Sequence, residues 1–366
     1  MNRGRQPELD IAKAVLVFFL AFIHCTIECT PEENLISGIP YLFDTVIGGP
    51  LSAPMFMFAM GVGMVYTREG SAGDLAKRGL RIFTAGFVLN ACRYTIPYLL
   101  GYVLTADYEK FIEPLLYRTL CNDILQFAGL AMLLIAWLRK LKTHDLLMLG
   151  IGLVLSLGGT WLNDTDAGSP LGNIFLGYLV GTTDAAGMVR SDFPLLNWFI
   201  VPVAGYVFGR VLIRVRDKRI FYEWLSPPCL LATIIYFAIG IKTGRGMFGE
   251  GQNCYYHIVT EDVLMSLVGA VGILGVYFYL QKRLPEYSIG WIREISRNVT
   301  RIYGIHWVLI TLTVNVFLYK LRGTQELMVP AVMLLALGIT AAAITLAHFW
   351  PGKARSRTGG RERSTK

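Results

Sequence analysis

Long apolar stretches alternate with short polar ones along the whole chain, and this pattern predicts a bundle of membrane-spanning helices. A helix rises about 1.5 Å per residue, so close to 20 apolar residues cross a hydrocarbon core of about 30 Å. The predicted spans are, approximately, 10–28, 50–67, 82–103, 119–138, 146–162, 194–213, 228–243, 262–281, 299–319 and 328–350. The predicted fold class is an all-α polytopic integral membrane protein with about ten transmembrane helices. It forms a single domain over residues 1–350, followed by a tail at 351–366.

One further apolar segment, LGNIFLGYLVG at residues 171–181, is short for a span. We expect it to lie at the membrane interface or to re-enter from the outer side. The alternative, a full crossing, would move the basic run at 214–219 to the outside of the membrane. The sequence leaves these two interpretations open.

The distribution of charge predicts which side each loop occupies. Only 16% of the residues are charged, against about 25% in soluble domains, and the net charge is +8. If the N-terminus is cytoplasmic, 26 of the 34 Lys and Arg fall on the inner side and 8 on the outer side. This asymmetry follows the positive-inside rule. We therefore predict cytoplasmic termini, a disordered basic tail, no nucleic-acid partner, and a place in a bacterial inner or plasma membrane, with the lipid bilayer as surroundings.

The cysteines give no sign of a metal centre. All six are scattered and none form CxxC pairs, so neither a disulfide framework nor a zinc site is predicted. The stretch HCTIEC at residues 24–29 does contain possible metal ligands. Its two cysteines, however, point about 100° away from the helix face that His24 and Glu28 share. No metal is therefore expected.

His24 and Glu28 are the first candidate catalytic pair. They lie four residues apart in the first span, so they share a helix face. His24 lies roughly 20 Å from the cytoplasmic end of the span, which places it in the outer half of the membrane. A carboxylate one turn away can orient an imidazole and raise its basicity, as a general base requires. The alternative is a structural histidine at a helix contact with an interfacial glutamate.

Other polar side chains within or beside the spans are candidates for a substrate pocket. Ionisable groups in a span are costly and mark functional candidates by default, although each alone is more often structural. Asp123 and Gln126 share a face near the outer end of the fourth span, and Arg93 lies inside the third. His257 precedes the eighth span, and His306 lies near the middle of the ninth.

Two arginines, Arg78 and Arg81, share a helix face at the cytoplasmic mouth, and Lys77 is adjacent. Guanidinium groups bind phosphate oxygens through two parallel hydrogen bonds. The three cations are therefore candidates for binding an anionic ligand. Membrane topology alone also explains cations in this loop, although it does not fix their spacing.

Several of these stretches together resemble one known group of enzymes. LDIAKAVLVFFLAFIH, with Asp10, Lys13 and His24 in order, resembles the opening helix of the acyltransferase type 3 family. Many members have Arg where this chain has Lys13. PMFMFAMGVGMVY resembles the second helix, and RGLR is similar to the family's Arg-x-x-Arg motif. The likeness extends over about residues 8–320 and includes relatives around heparan-alpha-glucosaminide N-acetyltransferase.

The resemblance implies a donor and an acceptor on opposite sides of the membrane. It implies acyl-CoA, with acetyl-CoA favoured, bound from the cytoplasm, and an extracytoplasmic glycan or glycolipid hydroxyl or amine as acceptor. By this analogy His24 is the general base, and Arg78 and Arg81 contact the coenzyme A phosphates. The sequence does not separate acetyl from longer acyl groups, or O- from N-acylation. A homodimer is one option for the oligomeric state.

Two other functions stay open at the level of the sequence. A transporter or flippase would use buried His, Asp and Arg as a proton or substrate path, without acyl chemistry. A catalytically inactive acyltransferase-like sensor would keep the fold alone.

Overall fold

The computed structural model describes residues 4–66, 70–183, 191–249 and 255–350, and the predicted tail at 351–366 lies outside them. Helices dominate these residues, and only two isolated bridges of extended backbone occur among them. The helices of the bundle are α1 (Pro7–Cys29), α2 (Ala53–Tyr66), α3 (Ala72–Asn90), α4 (Ile96–Thr105), α5 (Ile124–Lys140), α6 (Asp145–Trp161), α7 (Leu195–Arg214), α8 (Lys218–Lys242), α9 (Thr260–Leu280), α10 (Glu286–Arg322) and α11 (Val329–Phe349).

Short helices lie in the connections. They are Glu32–Asn34, Gly38–Ile47, Tyr108–Phe111, Leu115–Leu120 and Pro170–Leu176. The last of these covers residues 171–176 of the ambiguous apolar segment at 171–181. With seven residues it is about 10 Å long, too short to cross a bilayer. The structure therefore favours the interfacial or re-entrant interpretation.

Within the described residues, six helices are long and apolar enough to cross a membrane: α1, α7, α8, α9, α10 and α11. The apolar windows of α8 and α11 are only 17% and 28% buried, which suits helices at the lipid-facing edge of a bundle. Each of the ten predicted spans overlaps one or two of the labelled helices. The fold is thus an all-helical membrane bundle, while the count of ten crossings and the cytoplasmic termini stay predictions.

Polar side chains define where individual helices begin. The carboxylate of Asp123 accepts a hydrogen bond from the backbone N–H of Ile124 at 2.6 Å and caps α5. Ser71 accepts from the backbone N–H of Asp74 at 3.0 Å and caps α3. Such caps satisfy backbone donors that the first helical turn leaves without partners.

Helix α1 lies at the centre of the bundle, packed against α9, α10 and α11. Its first turn is anchored by buried charge. Glu8 is fully buried, pairs with Lys218 of α8 and accepts a hydrogen bond from the Tyr222 hydroxyl at 3.3 Å. Asp10 accepts from the Ser296 hydroxyl of α10 at 2.6 Å. Because a buried carboxylate is stable only when paired, these contacts hold the start of α1 in register with α8 and α10.

The described chain begins and ends at the same face of the bundle, which we call the amino-terminal face. Ser296 of α10 lies beside Asp10 at the start of α1. Glu294, two residues earlier in α10, pairs with His348 near the end of α11. At the opposite face, the backbone N–H of Leu327 donates to the carbonyl of Cys29 at 2.9 Å. This arrangement agrees with termini on one side of the membrane.

Helices α2 and α7 approach so closely that only glycine fits at the crossing. A Cβ added to Gly61 would lie 2.1 Å from the carbonyl oxygen of Pro202. A Cβ on Gly205 would lie 2.1 Å from the carbonyl oxygen of Phe58. Small residues that allow such close backbone contact are typical of helix pairs in membranes. This crossing fixes α2, which contributes to the cavity described below.

Replacing Gly61 with Ala should therefore destabilise the protein. The new methyl group must push α2 away from α7, and overpacking of this kind typically costs about 1–3 kcal/mol. Gly63→Ala on the same helix is the matched control, because its Cβ would meet no atom within 4 Å. We expect thermal unfolding in detergent to occur at a lower temperature for Gly61→Ala only. Equal unfolding temperatures for the two variants would contradict the close crossing.

Candidate active site

A cavity of about 980 Å³ penetrates the bundle between α1, α2, α3, α5 and α10. Lys13 of α1 and Arg78 of α3 line one part of it, and His24 and Glu28 line another. Lys13 and His24 are separated by about 16 Å along α1 at 1.5 Å per residue. The cavity is thus long enough to connect the cations near the amino-terminal face with the histidine deep in the bundle.

His24 projects from α1 onto an aromatic surface of α10. Its ring centroid lies 4.0 Å from that of Trp307 and 5.4 Å from that of His306. The histidine is half-buried and lines the cavity, so its ring is fixed by packing and still accessible to a ligand. A positioned imidazole of this kind has the geometry needed to accept a proton from a molecule in the cavity.

Glu28 lies one turn beyond His24 and is held by α10. Its Oε2 accepts a hydrogen bond from the side-chain amide of Asn315 at 3.3 Å. Both Glu28 and His24 line the cavity, as their shared helix face predicts. The carboxylate is thus oriented by a neutral donor, one helical turn from the imidazole.

Departures from regular α-helix occur where the chain meets this cavity. The described residues contain three π-helical segments, Leu42–Ile47, Ala91–Thr95 and Thr311–Leu318. The first contributes Asp44 to the cavity wall, the second contributes Arg93, and the third supplies the amide that contacts Glu28. A π-helical turn re-aims side chains within a continuous helix and is frequent at functional sites.

Arg93 joins α10 and the start of α5 within the bundle. The residue is 4% exposed, and its guanidinium donates from Nη1 to the Asp123 carboxylate at 2.9 Å. The Tyr303 hydroxyl contacts both oxygens of that carboxylate, at 3.1 and 3.2 Å. The guanidinium carbon also lies 3.1 Å from the centroid of the Trp307 ring. The aromatic residue that packs on His24 is therefore in contact with a buried, fixed cation.

The three cations near the amino-terminal face are not equivalent. Arg78 is half-buried and lines the cavity. Lys77 and Arg81 are exposed and are not part of the cavity wall. The residue that joins Arg78 inside the cavity is Lys13, one helix away. The cationic end of the cavity is thus formed by two separate helices rather than by one Arg-x-x-Arg face.

A family profile described as an acyltransferase domain matches residues 6–348. The chain belongs to the acyltransferase type 3 family. The resemblance seen in the sequence is confirmed, and the match supports a multi-pass membrane acyltransferase. No curated protein matches the chain significantly. The cavity that holds His24 is therefore the candidate active site of an acyltransferase.

The remaining predicted pocket residues fall into two groups in this acyltransferase. Asp123 and Arg93 line the cavity. Gln126, His257 and His306 are buried and do not line it. Gln126 packs against Gly86 at the contact between α3 and α5.

The two buried histidines have contacts of their own. His306 Nδ1 lies 3.3 Å from the carbonyl oxygen of Ile302 within α10. His257 lies at the opposite face of the bundle, where Nδ1 is 3.1 Å from the Asp164 carboxylate. In the described residues, no group of three or more His, Cys, Asp and Glu is arranged to hold a metal ion.

Sequence reasoning did not select three residues that line the cavity: Asp44, Asp192 and Tyr303. Asp44 had a readable signal, since it is an acidic residue within the apolar run YLFDTVI. Asp192 lies in a loop, where an aspartate is ordinary, and Tyr303 is one of several aromatic residues in an apolar helix. Only the folded arrangement brings Tyr303 to Asp123, 180 residues away in the sequence.

Substitutions of Arg93 and Asp123 should have non-additive effects on the free energy of unfolding. Arg93→Met alone leaves a buried unpaired carboxylate, and breaking such a pair typically costs about 3–5 kcal/mol. Asp123→Asn keeps an acceptor that can cap α5. We expect the double variant to lose less free energy of unfolding than the two single variants together. The difference should be about 1 kcal/mol or more, measured by unfolding in detergent.

The control for this cycle is the exposed pair of Arg219 and Glu223, which is 3.9 Å apart on α8. Its coupling should be at most about 0.5 kcal/mol. Additive losses at Arg93 and Asp123 would show that the two groups do not depend on each other.

Proposed function

We propose that this protein transfers an acyl group, acetyl in the simplest case, from cytoplasmic acyl-CoA to an extracytoplasmic acceptor. The acceptor is a hydroxyl or amine of a glycan or glycolipid. The observation that carries the proposal is the cavity shared by His24 and Glu28 in the interior and by Arg78 and Lys13 near the amino-terminal face. Membership of the acyltransferase type 3 family supports the reaction class.

The two ends of the cavity suit the two ends of the donor. Coenzyme A carries phosphates on its nucleotide and a thioester at the tip of an extended pantetheine arm. Phosphates favour a cationic site, and guanidinium groups bind them particularly well. With the nucleotide at Arg78 and Lys13, the arm would extend along the cavity and bring the thioester to His24. This placement agrees with cytoplasmic termini and a ten-span topology, which we propose together with it.

The chemistry assigned to His24 is general base catalysis. The acceptor oxygen or nitrogen attacks the thioester carbonyl carbon while the imidazole accepts its proton. The carbon–sulfur bond then breaks, and the thiolate of coenzyme A leaves and takes the proton back from the imidazolium. Glu28 stabilises the imidazolium by charge. Trp307 restricts the orientation of the ring through direct contact.

A transporter or flippase would also contain a cavity with buried charges. It would need no positioned base, and the family match supports acyl transfer instead. Variants of His24 separate the two functions.

His24→Ala and His24→Gln should each reduce acyl transfer by about 10²–10⁴-fold, since neither side chain accepts a proton at neutral pH. Donor affinity should change little, because the proposed phosphate site is distant from His24. Glu28→Gln should be milder, since it removes charge near the base but not the base itself. The measurement is transfer from labelled acetyl-CoA to an envelope glycan extract of cells that lack the protein, with folding checked by size exclusion. A well-folded His24→Gln protein with near wild-type transfer would exclude His24 as the base.

Arg78→Ala should weaken binding of acetyl-CoA by about tenfold or more, the typical effect of losing a charged hydrogen bond. Arg78→Lys should restore part of the affinity, because it keeps the charge and loses the planar guanidinium. Arg81→Ala should have a smaller effect, since Arg81 is exposed and outside the cavity wall. Arg219→Ala, an exposed arginine of α8, is the neutral control. Calorimetry with purified protein measures each affinity.

A larger effect at Arg81 than at Arg78 would place the phosphates at the exposed mouth instead of inside the cavity. Wild-type affinity for acetyl-CoA in both the Arg78 and the Arg81 variants would exclude α3 as the binding site of the coenzyme A phosphates.

A further inference from the structure

Arg93 retains hydrogen-bonding capacity that the protein does not use. A guanidinium has five N–H donors and no acceptor. Nη1 donates to Asp123 at 2.9 Å, while Nε has no hydrogen-bond partner among the described residues. The side chain is 5% exposed and nevertheless forms part of the cavity wall. A buried arginine with a purely structural role would be expected to satisfy its donors within the protein, because unpaired buried donors cost free energy.

The guanidinium is close to the proposed base. Trp307 connects the two, since its ring centroid lies 4.0 Å from that of His24 and 3.1 Å from the Arg93 guanidinium carbon. The imidazole and the guanidinium are thus no further apart than these two distances together. His24, Trp307 and Arg93 all line the same cavity, so a thioester beside the indole can approach the imidazole and the guanidinium together.

We propose that Arg93 stabilises the oxyanion that forms on the thioester carbonyl during acyl transfer. This inference rests on the proposed function. When the acceptor attacks, the carbon–oxygen π electrons move onto the carbonyl oxygen, and His24 takes the acceptor's proton. The guanidinium donates to that oxygen until the carbonyl reforms and the thiolate leaves. A fixed cation aimed at the developing charge lowers the barrier most, because it needs no reorganisation during the reaction.

Asp123 and Tyr303 act as positioning residues for Arg93. The Asp123 carboxylate binds Nη1, and the Tyr303 hydroxyl contacts both of its oxygens. Asp123 also caps α5, which ties the carboxylate to the backbone. The guanidinium is therefore held from α5 and α10 at once. A site of this kind holds its charge in place before the donor arrives.

Two coenzyme A analogues test the proposal without a known acceptor. Acetonyl-coenzyme A presents a planar ketone, whereas trifluoroacetonyl-coenzyme A hydrates readily and presents a tetrahedral carbon with polar oxygens. We expect the purified wild-type protein in detergent to bind the trifluoro analogue more tightly. The double variant Arg93→Met with Asp123→Asn should lose this preference. The ratio of its two affinities should fall by about 10²-fold, the effect of removing one oxyanion donor. Its affinity for acetonyl-coenzyme A should be little changed.

The matched control makes the same substitutions at an ion pair outside the cavity. Arg210→Met with Asp145→Asn removes a pair that is 2.5 Å apart between α7 and α6. This variant should keep the wild-type preference. If the Arg93 double variant fails to fold, Arg93→Lys is the second variant, since it keeps the charge opposite Asp123. It should show a reduced preference and a lower kcat for transfer, with the KM for acetyl-CoA unchanged.

The outcomes separate this inference from the proposed function. A wild-type protein that binds neither analogue contradicts the acyl-CoA donor, and the role of Arg93 falls with it. A wild-type protein that prefers the trifluoro analogue, together with a folded Arg93 variant of equal preference, overturns the oxyanion role alone. Equal weakening of both analogues would make Arg93 a structural residue of the cavity.

Discussion

Pairing of charges inside an apolar bundle is the constraint on which this structure depends. Removing an ion from water costs several kcal/mol even after the protein relaxes, so each buried charge must meet a partner. Helix α1 meets this constraint at its start, where Glu8 pairs with Lys218 of α8 and Asp10 accepts from Ser296 of α10. These contacts set the position of α1 along its axis. They thereby fix the depth of His24 in the bundle.

The same constraint organises the interior around the candidate active site. Arg93 and Asp123 neutralise each other, and Tyr303 satisfies the carboxylate from a third segment. The guanidinium in turn packs on Trp307, which also contacts His24. His24, the proposed base, and Arg93 are therefore both in contact with one aromatic residue. A change at any member of this group is expected to alter the geometry of the others, because neighbours within one network do not act independently.

The cavity relates this network to the proposed function. Acyl transfer across a membrane, as proposed, would need a donor site at one side, a base within reach of the thioester, and access for the acceptor. Arg78 and Lys13 supply cations near the amino-terminal face, and His24 and Glu28 lie deeper along the same cavity. Irregular π-helical turns occur where Asp44 and Arg93 enter the wall. Rigid helices thus provide the frame, and local departures from them aim the side chains.

The sequence by itself determined the features that depend on local periodicity. Apolar length predicted the helices, and the spacing of four placed His24 and Glu28 on one face. The tertiary structure decided what requires contacts between distant segments. It separated Arg78, which lines the cavity, from exposed Arg81, and it paired Arg93 with Asp123, 30 residues away. The physical reason is that helical spacing fixes a side chain's direction relative to its own axis. Which direction faces a partner, a cavity or lipid depends on how the helices pack.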